Sequence, residues 1–348
     1  METVTIQKNF YCGGDLHAKT MFLSIMDAKG EILFHRNIPN NPPYFLSVIQ
    51  PYRHSIAVGV ESTFNWYWLA DTCQKENIPF FLGHALYMKA IHSGKNKNDR
   101  IDATTIANLL RCNMFPPAYP YPKEMRGTRD LLRRRYRYVT LRAESYTHIQ
   151  GTFNQQAIDG VGSSDVKRKS SRADLPNHFD HPDIAMSVNC DIELSNALDP
   201  IIDKIEKQVY ARAKYHDHNA LSILMTTPGI GKILAFTILY EIHTINRFPS
   251  VQNFSSYCRL VKCERTSNGK YTGGGNNKIG NPYLKWAFSE IIIHAQTHSP
   301  NIKKYYERLI SKHGVGKAKS IMAHKFAVAV YFMLKNKEAF DEKRFLSY

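Results

Sequence analysis

Two carboxylates stand three residues apart in Lys97-Asn98-Asp99-Arg100-Ile101-Asp102-Ala103, where an apolar helical pattern begins. Residues three apart share one face of a helix. Carboxylates facing the same way can hold a hard divalent cation such as Mg²⁺ against a phosphate, because such ions prefer oxygen ligands. Two more acids extend the pattern: Asp15 ends one β-rich run and Glu61 ends a later one. If those two runs are neighbouring strands of one sheet, Asp15, Glu61, Asp99 and Asp102 converge at one edge. Paired metals held there would polarise a phosphodiester and neutralise its leaving oxygen. Each acid also has an ordinary alternative. Asp15 can cap a turn, Glu61 can pair with a lysine, and Asp99 can be the N-cap of its helix with Asp102 in the first turn.

The elements that must position these residues read as follows. Asn9 to Leu16, Met21 to Met26 and Glu31 to Ile38 have strand character, with Asp27-Ala28-Lys29-Gly30 as a tight turn between the last two. A short helix around Tyr44 to Ile49, a strand from Ser55 to Glu61, a helix over Phe64 to Glu76, a strand at Pro79 to Leu82 and a helix over Asp99 to Leu110 follow. Three meandering strands and then strand–helix alternation predict a mixed sheet flanked by helices, the α/β pattern of a ribonuclease-H-like domain.

Farther along, Arg126, Arg129, Arg133, Arg134, Arg135, Arg137 and Arg142 crowd one long helical stretch. Ser163 to Pro182 is polar and reads as a loop, and Asp191 to Lys214 as a second long helix, so the two form an antiparallel pair or coiled coil. Arginine forks fit phosphates, which favours backbone contact for this face over mere solvation. Pro228-Gly229-Ile230-Gly231-Lys232 sits between helical stretches Ala220 to Met225 and Ile233 to Ile242. That is the layout of a helix-hairpin-helix, in which Gly229 and Gly231 would let amides approach a phosphate and Lys232 add charge; simple capping is the alternative. The remainder, from Asn253 to Leu334, is mainly helical around a Gly- and Asn-rich stretch at Ser267 to Asn281.

A formal net charge of +16 spread over 348 residues points to a polyanionic partner, nucleic acid first. The six cysteines lack a paired C-x-x-C spacing and are expected to be reduced thiols of a cytosolic protein. No apolar signal core opens the chain and no run approaches the roughly 18 apolar residues of a membrane span, so a cytoplasmic protein without membrane contact is expected.

Gly13-Gly14-Asp15, Val60-Glu61-Ser62-Thr63 and the heptapeptide around Asp99 and Asp102 resemble the DEDD motifs of insertion-sequence transposases of the IS110 type, relatives of the Piv DNA invertases. Thr227-Pro228-Gly229-Ile230-Gly231 and Gly280-Asn281-Pro282-Tyr283-Leu284-Lys285-Trp286-Ala287 are similar to that family's second block, so the likeness spans nearly the whole chain. The resemblance implies a RuvC-like catalytic domain over 1–115, a helical coiled-coil connection over 116–218 and a helical C-terminal transposase domain over 219–348. It implies recombination of target and donor DNA guided by a structured noncoding bridge RNA. It also implies a serine nucleophile in Arg265-Thr266-Ser267-Asn268-Gly269-Lys270, which places the nucleophile at Ser267 with Lys270 as a nucleic-acid contact. No histidine adjoins Ser267 in sequence, so its activation is expected from the metal-bound acids, Mg²⁺ or Mn²⁺ being the cofactor. A homodimer or homotetramer is expected, since two duplexes must be exchanged together. Two other readings stay open: a metal-dependent nuclease of Holliday-junction-resolvase type using water alone, and a noncatalytic nucleic-acid-binding protein.

Overall fold

The computed structural model describes residues 6–91, 98–212, 217–262, 264–268, 270–274 and 279–347. The chain divides into two compact units, 1–124 and 125–348. In the first, β1 (Phe10–Leu16), β2 (Thr20–Asp27) and β3 (Ile32–Pro39) form an antiparallel meander. The β2–β3 turn closes on Asp27, whose Oδ1 accepts from the amides of Lys29 and Glu31, with Gly30 at positive φ. Next come α1 (Pro42–Ile49), β4 (Ile56–Glu61), α2 (Tyr67–Lys75), β5 (Phe80–Gly83), α3 (Ala85–Ile91) and α4 (Asp99–Arg111). The sheet order is β3-β2-β1-β4-β5, with β4 parallel to β1 and to β5. This is a mixed sheet compatible with the expected ribonuclease-H-like class.

Strand periodicity assigns the two faces. Gly13 faces α4 so closely that a β-carbon there would lie 2.1 Å from the Ala103 carbonyl oxygen and 2.4 Å from the Ala107 amide. Gly59, directly opposite Gly13 in the β1–β4 register, likewise faces Leu110 of α4. Cys12, one residue away and so on the other face, neighbours Cys73 of α2, and burial raises both thiols. Helices therefore cover both faces, which explains why Ile56–Val60 of β4 is buried throughout.

The boundary falls in the first turn of α5 (Lys123–Gln155), and α6 (Ser163–Lys167), α7 (Lys169–Arg172) and α8 (Pro182–Arg212) follow in the second unit. The pairs Arg135–Glu206, Arg142–Asp199 and His148–Asp191 show that α5 and α8 run antiparallel. The segment read as a polar loop is folded instead. Val166, Leu175 and Phe179 join Ile149, Phe153, Val188 and Ile192 in a small core at the hairpin's tip. Arg172 anchors that tip, donating to Asp199 at 2.9 Å and to the Tyr146 hydroxyl at 3.1 Å.

Then follow α9 (His218–Met225), α10 (Lys232–Ile242), α11 (Val251–Tyr257), the two-stranded β6 (Glu264–Ser267) and β7 (Lys270–Gly274), α12 (Pro282–His298), α13 (Pro300–His313), α14 (Val315–Asn336) and α15 (Glu342–Ser347). Their apolar faces build one continuous core around Phe254, Phe288 and Phe326.

Inside this unit Glu241 of α10 is buried, and both its oxygens are engaged. Arg133 donates to Oε1 at 2.6 Å and to Oε2 at 2.8 Å, Arg129 to Oε2 at 3.1 Å, and the Asn281 amide to Oε2 at 2.7 Å. Asn281 also caps α12 by accepting from the amides of Tyr283 and Leu284. Gly280 precedes it at φ +95°, where a β-carbon would strike the Tyr257 carbonyl at 2.6 Å. The Gly280-Asn281-Pro282 block thus has a structural basis: a positive φ, a cap that reaches Glu241, and a proline in the first helical turn. Burial would raise the Glu241 carboxyl, but the hydrogen bond from Arg133 and the two guanidinium charges outweigh it and hold the group below its ordinary value.

Two outcomes are expected of stability measurements. Gly13→Ala should lose at least about 2 kcal/mol, because backbone rather than a flexible side chain blocks the added methyl. Gly127→Ala, in α5 with open space around it, should gain up to about 1 kcal/mol. Thermal melts reversing that order would contradict the close approach. Glu241→Gln should cost about 3 kcal/mol near neutral pH by leaving two guanidinium groups without their counter-charge. Because the folded value is depressed, the wild-type advantage is full above the unfolded value of about 4.3 and fades as pH falls through the folded value. A constant gap between the two proteins in melts from pH 7 to pH 3 would refute the assignment.

Candidate metal centre

Asp15 lies two residues beyond Gly13 on β1, so it shares the face on which α4 packs. Helix α4 presents Ala103 and Ala107 to Gly13, which puts Asp99, one turn earlier, toward the end of β1 that carries Asp15. The β1–β4 register runs to Gly14 opposite Val60, so Asp15 and Glu61 are each the residue that follows the last pair on its strand. Asp102 occupies the first turn of α4, three residues from Asp99.

Asn98 is the N-cap of α4, its side chain accepting from the Ile101 amide at 2.9 Å. Asp99 is therefore not the cap, and its carboxylate is turned to another use. It lies 3.1 Å from Nε2 of His17, which is 3.5 Å from the Asp15 carboxylate. Ligand atoms of Asp15, His17 and Asp99 all fall within 4.8 Å of one another. The sequence reading singled out the acids and missed His17; its signal was the Asp-x-His spacing at a strand end, where alternate side chains share a face. Glu61 and Asp102 belong to the same end of the unit but not to this cluster of three.

The backbone around the cluster is tied down. The His17 amide donates to the Thr20 carbonyl at 2.8 Å, and its own carbonyl accepts from the side-chain amides of Asn40 and Asn65. Thr63 donates to Asn65 Oδ1 at 3.0 Å, so the segment after Glu61 is laced to the segment after Asp15. Thr104 reaches Ser24 and His35, pinning the start of α4 over β2 and β3.

The donor set fits a divalent cation. Cis ligands about 2.1 Å from an octahedral ion lie roughly 3 Å apart, close to the spacings across His17, and carboxylate oxygens are the donors that hard divalent cations prefer. Asp15 is largely buried while Asp99 and His17 are about half exposed, so the cluster opens to solvent on the α4 side. No cysteine belongs to such a cluster among the described residues, and burial pushes the Cys73 thiol up to about 12 and raises Cys12 and Cys258 as well.

The predicted nucleic-acid contacts divide sharply. Arg126 is buried, Arg129 and Arg133 are drawn onto Glu241, and Arg135 pairs with Glu206 at 2.7 Å. These four are drawn into the unit, Arg129 and Arg133 sharing the single charge of Glu241, whereas Arg134 and Arg137 are exposed. Gly229, at φ +88°, packs against the backbone of Ile291 and Ala295 in α12, so it serves helix packing. Gly231 has open space around it and Lys232 is exposed, its ammonium 5.6 Å from the Tyr210 ring centroid. Ser267 closes β6 and is paired with Lys270, the exposed first residue of β7, across a turn in which Asn268 has positive φ. Among the described residues no helix is long and apolar enough to cross a membrane.

Comparison with known proteins agrees with this layout. Residues 12–157, which hold all four acids, match the DEDD transposases of the IS110 type. Residues 221–307, which hold Ser267, match the family described as Transposase IS116/IS110/IS902. The transposase for insertion sequence element IS1111A of Coxiella burnetii is 23% identical over 256 residues, 70% of this chain and 68% of that one. The mini-circle transposase for IS117 of Streptomyces coelicolor is 28% identical over 137 residues, 37% of this chain and 32% of its own. With both blocks present in order, on a mixed sheet that carries clustered acids, the chain belongs to the IS110 family of insertion-sequence transposases.

Proposed function

We propose that this transposase is a divalent-metal-dependent DNA recombinase that exchanges strands through a serine-linked intermediate, guided by a structured bridge RNA. The observation that carries the metal part is the meeting of Asp15, His17 and Asp99 at the end of β1. In this reading Asp15 and Asp99 hold Mg²⁺ or Mn²⁺ directly, with Glu61 and Asp102 completing the oxygen ligands. A cation held there supplies positive charge against a phosphodiester oxygen. His17, drawn to both carboxylates, keeps them oriented.

Ser267 is the proposed nucleophile. Its Oγ gives up its proton and forms a bond to phosphorus as the bond to the leaving deoxyribose oxygen breaks, and the displaced strand end takes up a proton, so none is gained or lost overall. The reverse displacement by a new strand end frees the serine. One phosphodiester is exchanged for another, so rejoining needs no external energy source. Pairing of the guide with target and donor DNA would select the sites, and a homodimer or homotetramer would bring two duplexes together.

Asp15→Asn and Asp99→Asn should each weaken Mn²⁺ binding at least tenfold by calorimetry and abolish strand cleavage, while DNA binding persists. Cation affinity equal to wild type in both variants would sink the metal assignment. Ser267→Ala should retain cation binding yet form no protein–DNA adduct stable to denaturation. Recombination at wild-type rate by Ser267→Ala would refute the covalent route and favour hydrolysis by water.

A further inference from the structure

Arg129, Arg133 and Arg135 are engaged by two carboxylates, Glu241 and Glu206, so cations that hold no carboxylate must be sought elsewhere in the second unit. They are concentrated where α13 turns into α14. Residues 300–320 contain Lys303, Lys304, Arg308, Lys312, Lys317 and Lys319 against a single acid, Glu307. All six cations are exposed, and among the described residues none of the five lysines forms an ion pair. Lys304, Arg308 and Lys312 recur every four residues, a stripe about 12 Å long on the side away from buried Ile302 and Tyr306.

The turn itself repeats a pattern met earlier in the chain. Gly314-Val315-Gly316-Lys317 has the order glycine, aliphatic, glycine, lysine of Gly229-Ile230-Gly231-Lys232. In both, the first glycine has positive φ, +77° and +88°, and a helix precedes and follows. The two differ in surroundings. Gly229 is wedged against α12, whereas β-carbons at Gly314 and Gly316 would meet nothing within 4 Å. No side chain caps α14, so its first amides are open beside Lys317 and Lys319. Thr227 touches Met333 at 3.7 Å, which puts the first hairpin beside the far end of α14, 17 residues or about 25 Å from Gly316. That span is shorter than one turn of a duplex, about 34 Å.

We propose that the α13–α14 hairpin is a second contact surface for the phosphate backbone of duplex DNA, a role that rests on the DNA-acting reading above. The chemistry favours a duplex over unpaired bases. The patch offers ammonium groups and open amides, while of the two tyrosines of α13 Tyr306 is buried and Tyr305 is half-buried beside Arg308 and Lys325, so neither presents a free stacking platform. Contact of this kind is sequence-independent and releases condensed counterions.

The test uses the full chain with a random-sequence DNA duplex and, in parallel, a structured RNA, over a salt series. Lys304→Ala/Arg308→Ala/Lys312→Ala and Lys317→Ala/Lys319→Ala should melt like wild type, because the side chains are exposed. Each should bind duplex DNA at least tenfold more weakly. The slope of log affinity against log salt should fall in magnitude by about 2 to 3 for the triple variant and about 2 for the double. Unchanged affinity and slope for DNA would overturn the proposal. So would a loss confined to RNA, which would assign the patch to the guide instead. Absence of duplex binding by the wild-type chain is a separate result, overturning the DNA-acting reading beneath it.

Discussion

The close approach of α4 to β1 is the constraint on which the acidic cluster depends. Gly13 lets helix backbone descend to where a side chain would otherwise stand, and Gly59 on the adjoining strand lengthens the groove. A helix held farther away by ordinary side chains would carry Asp99 out of reach of His17 and Asp15. Two carboxylates brought together repel one another, and the folded sheet and helix must offset that cost. The imidazole between them and the asparagines on the His17 carbonyl are part of how the arrangement is kept.

The helical unit solves a different electrostatic problem. Its long first helix carries more positive charge than its own length can disperse, and Glu241 answers from inside the core. A buried carboxylate with two guanidinium partners is seldom a large net stabiliser, yet removing one partner is severe. Its value lies in geometry. Because the same carboxylate holds Asn281, and Asn281 caps α12, the arginine helix and the core helices are registered through one side chain. Arg142 and Arg172 converge on Asp199 in the same manner farther along, where their hydrogen bonds depress a carboxyl that burial would raise.

Much of the fold was legible because strand alternation and turn chemistry are local. The five strands, the Asp27 turn and α4 fall within about a residue of expectation, and the parallel β1–β4 pairing follows from their order. What sequence could not supply was pairing over distance. Arg133 and Glu241 are 108 residues apart, and nothing local distinguishes an arginine bound to a buried acid from one awaiting a phosphate. The start of α8 was missed by nine residues because Pro182 and its polar neighbours resemble a loop, although proline is at home in a first helical turn. Asp99 could not be separated from an N-cap by type alone; the preceding Asn98 took that role. His17 went unnoticed since a lone histidine after a strand carries little weight until its neighbours in space are known.

The tip of the α5–α8 hairpin has a mechanical meaning. A 33-residue helix is about 50 Å long, and two such rods joined by ion pairs alone would slide past each other under load. The small core of Phe153, Val166, Leu175 and Phe179, with Arg172 buried through it, clasps the rods at their far end and fixes their stagger. A hairpin clasped in this way behaves as a beam rather than a tether.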